Sequence, residues 1–142
     1  MKNKSMIYSA VLAVLLLSLL FSCKKETPAT RYQVVNNCTY FVAGDDPDVN
    51  GTFWSAIVYV YKGNDVISQQ NLGNIAPEGG KSAITEVNSG ATSVRLSFLK
   101  ARLNVYLNVR YYAVTPVDLT AGQLTTVTMT DDTPVSTILP TQ

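Results

Sequence analysis

The chain of 142 residues contains no histidine. That absence excludes Ser-His-Asp and Cys-His catalysis, which need an imidazole base, and every zinc site built on imidazole. Cysteine is scarce as well, with only Cys23 and Cys38, so a thiolate zinc site lacks ligands. Charged residues make up 15% of the chain and form no long run of one sign, so nucleic acid is not an expected partner. Any catalysis would have to rest on carboxylates, lysine or tyrosine.

Long apolar runs are missing everywhere except near the start. There Lys2 and Lys4 precede an apolar stretch at 7–21, broken only by small or hydroxyl residues, and Ser22 sets a small residue before Cys23. These are the parts of a secretory signal. The stretch is shorter than the ~20 apolar residues that span a bilayer. Leu20-Phe21-Ser22-Cys23 resembles the lipobox of bacterial lipoproteins. The resemblance covers residues 1–23 and implies cleavage before Cys23, whose thiol then carries lipid.

On that reading residues 1–22 are a lipoprotein signal peptide, 23–30 a lipidated tether and 31–142 a single domain outside the cytoplasm. The implied address is the cell envelope, the outer membrane ahead of the inner, with the membrane itself as partner. Buried methylenes contribute about 0.8 kcal/mol each, so the two or three acyl chains of the family would anchor the protein stably. Without Lys2 and Lys4, nine basic residues face ten acidic ones. With Cys23 acylated, Cys38 has no internal disulfide partner and is expected as a small buried side chain.

What the rest of the chain has in quantity is Val, Thr and Tyr in short runs punctuated by Gly, Asn, Asp and Pro, the composition of an all-β domain. The pattern predicts strands at 31–35 and 38–43 around a bulge or kink at Asn36-Asn37, then at 53–62. Gly63-Asn64-Asp65 should turn the chain into a hairpin partner at 66–72. Further strands are expected at 82–87, 92–99, 104–115 and 124–130. Val94, Leu96 and Phe98 alternate with Ser93, Arg95 and Ser97, which predicts the first set inward and the second outward. By the same rule Val105, Leu107, Val109 and Tyr111 face in, Asn104, Tyr106, Asn108, Arg110 and Tyr112 face out, and Val127 and Met129 point inward.

About seven such strands with no helix favour an antiparallel two-sheet sandwich of immunoglobulin-like or transthyretin-like form. A small barrel is the alternative. The mature part resembles small envelope β-sandwich domains of unknown function.

Asp46-Pro47-Asp48-Val49-Asn50-Gly51 matches the first half of a calcium loop, with Asp46, Asp48 and Asn50 as candidate ligands. The second half is missing, because Ile57 stands where an EF-hand has Glu, and the same residues suit an ordinary turn. Gly79-Gly80-Lys81-Ser82 looks like the tail of a P-loop, but Ile75 occupies the place of its first glycine, so both glycines are expected to serve a turn. Asn37-Cys38-Thr39 and Asn50-Gly51-Thr52 are formal glycosylation sequons without meaning in a bacterial lipoprotein.

Tyr106, Arg110 and Tyr112 form one outward stripe, and Tyr59 and Tyr61 share a strand face. Rigid rings and guanidinium groups are what binding surfaces favour, although tyrosine also stabilises sheets by itself. The leading expectation is therefore a lipid-anchored, non-enzymatic module that binds a protein or glycan, with no cofactor beyond the calcium candidate. A structural subunit of a surface fibre or adhesin is the alternative. A carboxylate-dependent hydrolase comes third, since Asp45, Asp46, Asp48, Asp131 and Asp132 all fall in expected turns.

Overall fold

A computed structural model describes residues 28–39, 51–102 and 105–140. Ten strands make up the order: β1 (Arg31–Asn36), β2 (Phe53–Lys62), β3 (Asp65–Ile75), β4 (Gly80–Lys81), β5 (Thr85–Glu86), β6 (Ser93–Arg102), β7 (Val105–Ala113), β8 (Val117–Asp118), β9 (Leu124–Met129) and β10 (Val135–Ser136). There is no helix among the described residues. The strands form two sheets, neither closed into a barrel.

The six-stranded sheet runs β10-β7-β6-β2-β3, with β8 on β6 beyond the end of β7. All of its pairings are antiparallel. The β2–β3 hairpin turns at Gly63, whose φ of 60° suits a residue without Cβ. The smaller sheet centres on β1, with β4 and β5 along one edge and β9 along the other.

The expectation of a purely antiparallel sandwich is corrected here. β1 and β9 run parallel over six consecutive pairs, from Arg31↔Leu124 to Asn36↔Met129. Alternation tells which face a side chain takes, and Val127 and Met129 point inward as expected; it carries no information about the direction of the partner.

The expected strand at 82–87 is also corrected, because only Thr85–Glu86 of it is strand, as β5, while β4 lies just before it. Ser82 interrupts it: its Oγ accepts the Val34 amide at 3.0 Å and donates to the Ala83 carbonyl at 2.8 Å. Cys38 and Thr39 are not strand, and the rest of the strand expected at 38–43 lies outside the described residues.

The core lies between the sheets. Tyr32 and Val34 of β1 and Val127 and Met129 of β9 meet Ala56, Val58 and Val60 of β2 and Val94, Leu96 and Phe98 of β6. Phe98 stacks on Phe53 with centroids 4.2 Å apart and on Tyr111 at 6.0 Å. Such aromatic pairs are worth about 0.5–1.5 kcal/mol beyond their buried area.

One polar side chain ties the sheets at their end. Asn36 is fully buried; its Nδ2 donates to the carbonyls of Gly51 at 2.7 Å and Ile75 at 3.1 Å, and its Oδ1 accepts the Cys38 amide at 3.1 Å. Gly51 is held close beside it. A Cβ there would collide with the Thr39 carbonyl oxygen, so backbone crowding requires the glycine that ends the Asp46–Gly51 motif whether or not an ion binds.

Candidate functional site

The outer face of the six-stranded sheet carries the candidate surface, and β6 shows why it is not a plain solvent face. Val94, Leu96 and Phe98 point into the core as expected. Ser93, Arg95 and Ser97, expected outward and wet, are 5%, 1% and 0% exposed.

The C-terminal stretch reaches Arg95, and Arg110 caps Ser97. After β10 pairs with β7, the chain brings Pro140 over β6, and Arg95 Nη1 donates to the Pro140 carbonyl. Arg95 Nη2 donates to the Val114 carbonyl at 3.3 Å, and the guanidinium lies 5.6 Å from the Tyr61 ring centroid. Arg95 Nε has no partner, and no carboxylate pairs with this arginine among the described residues. Tyr61, expected to share an outward face with Tyr59, is 3% exposed beneath this arrangement.

Beside this covered patch the face opens. Cross-strand register sets Tyr59 opposite Arg95, Ser97 opposite Tyr112 and Leu99 opposite Arg110. The Tyr59 and Tyr112 rings, both half-buried, sit 6.2 Å apart at a 48° tilt. Burial and the neighbouring Tyr59 push the Tyr112 phenol up, while Arg110 pulls it down.

Arg110 is half-buried and spans three strands. Its Nη1 donates to Ser97 Oγ on β6 and to the Ser55 carbonyl on β2, both at 3.1 Å. Ser55 has a φ of 45°, a conformation that costs a non-glycine residue about 1–3 kcal/mol. Asn74 Oδ1 supports the same residue by accepting its amide at 2.9 Å. Arg110 therefore braces the bulge in β2 as well as lining the surface.

The structure thus brings Arg110 and Tyr112 together on one face and adds Tyr59 to them. Tyr106 pairs through its backbone with Ala101, and its side chain lies outside the described residues. Val109, expected inward, is 42% exposed, because the β6–β7 register shifts between Leu99 and Ala101 and breaks the alternation. Cys23, Asp46, Asp48 and Asn50 lie outside the described residues.

A second feature escaped the sequence reading. A cavity of ≈ 50 Å³ lies at one end of the sandwich between Cys38, Phe53, Phe98, Lys100, Met129 and Asp131, room for about three waters. Cys38 is buried, as expected. Burial pushes its thiol up to about 11, and Asp131 acts in the same direction against Lys100. At neutral pH only about one molecule in ten thousand carries the thiolate, which makes Cys38 a poor nucleophile. Asp131 accepts the Thr39 amide at 3.1 Å and the Thr39 hydroxyl at 2.9 Å, and it is the one carboxylate lining the cavity among the described residues. No sequence signal announces this cavity, since its walls come from four distant segments.

No family model, no curated protein and no solved structure matches this chain.

Proposed function

We propose that the chain is a lipid-anchored binding module of the cell envelope that presents the outer face of its six-stranded sheet to a protein or glycan. The supporting observation is the Tyr59–Tyr112 pair beside Arg110. Two tilted rings with polar tips and a guanidinium that pairs with no carboxylate among the described residues suit the stacking and hydrogen bonding of a sugar ring or an extended peptide. Each of these side chains is oriented by the sheet before a ligand arrives, which lowers the ordering cost of binding.

The anchor belongs to the same proposal. Acylated Cys23 and the polar tether at 24–30 would hold the domain at the membrane, the outer one in our reading, with its sheet free to meet a partner. The finer architecture we assign is an immunoglobulin-like or transthyretin-like sandwich, supported by the two packed sheets with alternating inward residues. Calcium at Asp46, Asp48 and Asn50 is an accessory expectation.

The test is a capture experiment from envelope extract, comparing the native chain with a Tyr59→Ala/Tyr112→Ala variant. The proposal expects specific partners or glycans on the native chain and their loss on the variant, with unchanged far-UV circular dichroism. Equal capture by both would refute the assignment of this face.

A further inference from the structure

The two ends of the six-stranded sheet differ sharply. At one end two-residue β10 covers only Tyr112 and Ala113 of β7, and along the rest of β7 Arg110 and the register shift between Leu99 and Ala101 interrupt the open side, devices that resist pairing. At the other end β3 runs for 11 residues, and no strand pairs with its outer side among the described residues. Long edges are usually blunted by Lys, Pro or a mid-strand bulge. β3 has no Lys, Arg or Pro; its only charge is Asp65, the first residue after the turn. Its register shifts fall towards its ends, which leaves Ser68–Asn71 in an unbroken ladder against Ile57–Val60.

The composition of that edge is suited to pairing. Residues 66–72, Val-Ile-Ser-Gln-Gln-Asn-Leu, contain no charge, Pro or Gly. Val66 and Ile67 are 44% and 39% exposed despite their apolar side chains. Uncharged β-forming runs with Gln and Asn are the kind that pair with copies of themselves, because the amides can hydrogen-bond along the stack.

We infer that β3 is a self-association edge: two copies pair β3 against β3, antiparallel about a two-fold axis, and join their six-stranded sheets into one. A strand that meets its own copy in this way has its twofold at a residue facing itself, and Gln69 and Gln70 stand at the middle of the regular stretch. In those two registers Asp65 falls opposite Gly73 or Ile75 of the other copy, so no like charges meet. The interior of the pair sets Ser68, Gln69, Gln70 and Asn71 against one another, against Ile67 or against Leu72. A second copy is thus the occupant the edge tolerates without electrostatic cost, and the closed two-fold leaves no β3 edge exposed for further growth.

Sedimentation of the full chain in detergent tests this, with Gln69→Lys as the probe. Gln69 is exposed, and the substitution places two ammonium groups near the axis. Dimers are expected from the native chain, with dimerisation weakened roughly ten-fold or more by Gln69→Lys and the far-UV circular dichroism unchanged. Thr126→Lys on β9, whose outer side is likewise unpaired among the described residues, should leave the dimer intact. A native chain that stays monomeric at high micromolar concentration would overturn the inference. So would a dimer indifferent to Gln69→Lys, one dissolved by Thr126→Lys, or growth into open-ended polymers.

Discussion

The hydroxyl of Tyr32 on β1 donates to Gln70 Oε1 on β3 at 2.7 Å, a bond that crosses from one sheet to the edge strand of the other. Tyr32 is fully buried, and that burial pushes its phenol up to about 12 from 10.0, with the Thr85 hydroxyl acting in the opposite direction. The folded state therefore holds this proton more tightly than the unfolded state does. Its contribution is complete below about pH 10 and disappears as pH rises through about 12. Tyr32→Phe should cost about 1 kcal/mol at pH 7 and flatten the alkaline limb of stability in urea titrations.

Cys38 acts in a lower window by the same sign. Its thiol rises from 9.0 to about 11, so stability should begin to fall above about pH 9 before tyrosine contributes. Cys38→Ala should remove that earlier part of the decline and leave the part above pH 10. Urea midpoints at half-unit pH steps, for both variants and the native chain, separate the two groups.

Asn36 is the polar fastener between sheets, and removing it strands two carbonyls. Asn36→Ala should cost roughly 2–4 kcal/mol, because the Gly51 and Ile75 oxygens lose their donor in a buried setting. Thermal melting reads this directly; a loss within experimental error would show that the fastener is dispensable.

Arg95 and Arg110 should behave differently although both lie on the outer face. Arg95→Met keeps most of the buried volume and removes a charge that no carboxylate among the described residues balances, so global stability should change by less than about 1.5 kcal/mol. The stretch at 137–140 should nevertheless lose its hold, which hydrogen exchange at 137–139 would detect. Arg110→Ala should instead destabilise the domain by about 1–3 kcal/mol, since Ser97 and the strained Ser55 lose their brace.

Gly51→Ala separates backbone crowding from ion binding. A Cβ there meets the Thr39 carbonyl oxygen, so the variant should melt well below the native chain with calcium or with chelator. If the deficit vanished in chelator, the glycine would owe its place to calcium.

Local chemistry made much of this architecture readable. The alternation of Val94, Leu96 and Phe98, the bounds of β2 and the hairpin at Gly63 all follow from periodicity and turn preference, which act between neighbours in sequence. The parallel β1–β9 pair was hidden because more than ninety positions separate its paired residues, and pairing direction has no local signal. Arg95 was misplaced for a related reason. A polar residue alternating with apolar ones reads as solvent-facing, and the groups that enclose Arg95, namely Tyr61, Val114 and Pro140, are distant in sequence. Arg110 and Tyr112 were correctly set on one face, yet their partners Ser97, Ser55 and Tyr59 depend on register across three strands.

The anchor is the claim on which the envelope role depends. Intact-mass and peptide mass spectrometry of the protein recovered from the envelope of its host addresses it directly. The account predicts a mature chain beginning at Cys23 with a diacylglyceryl thioether on that residue. A chain that retains residues 1–22, starts elsewhere or carries an unmodified Cys23 thiol would contradict it.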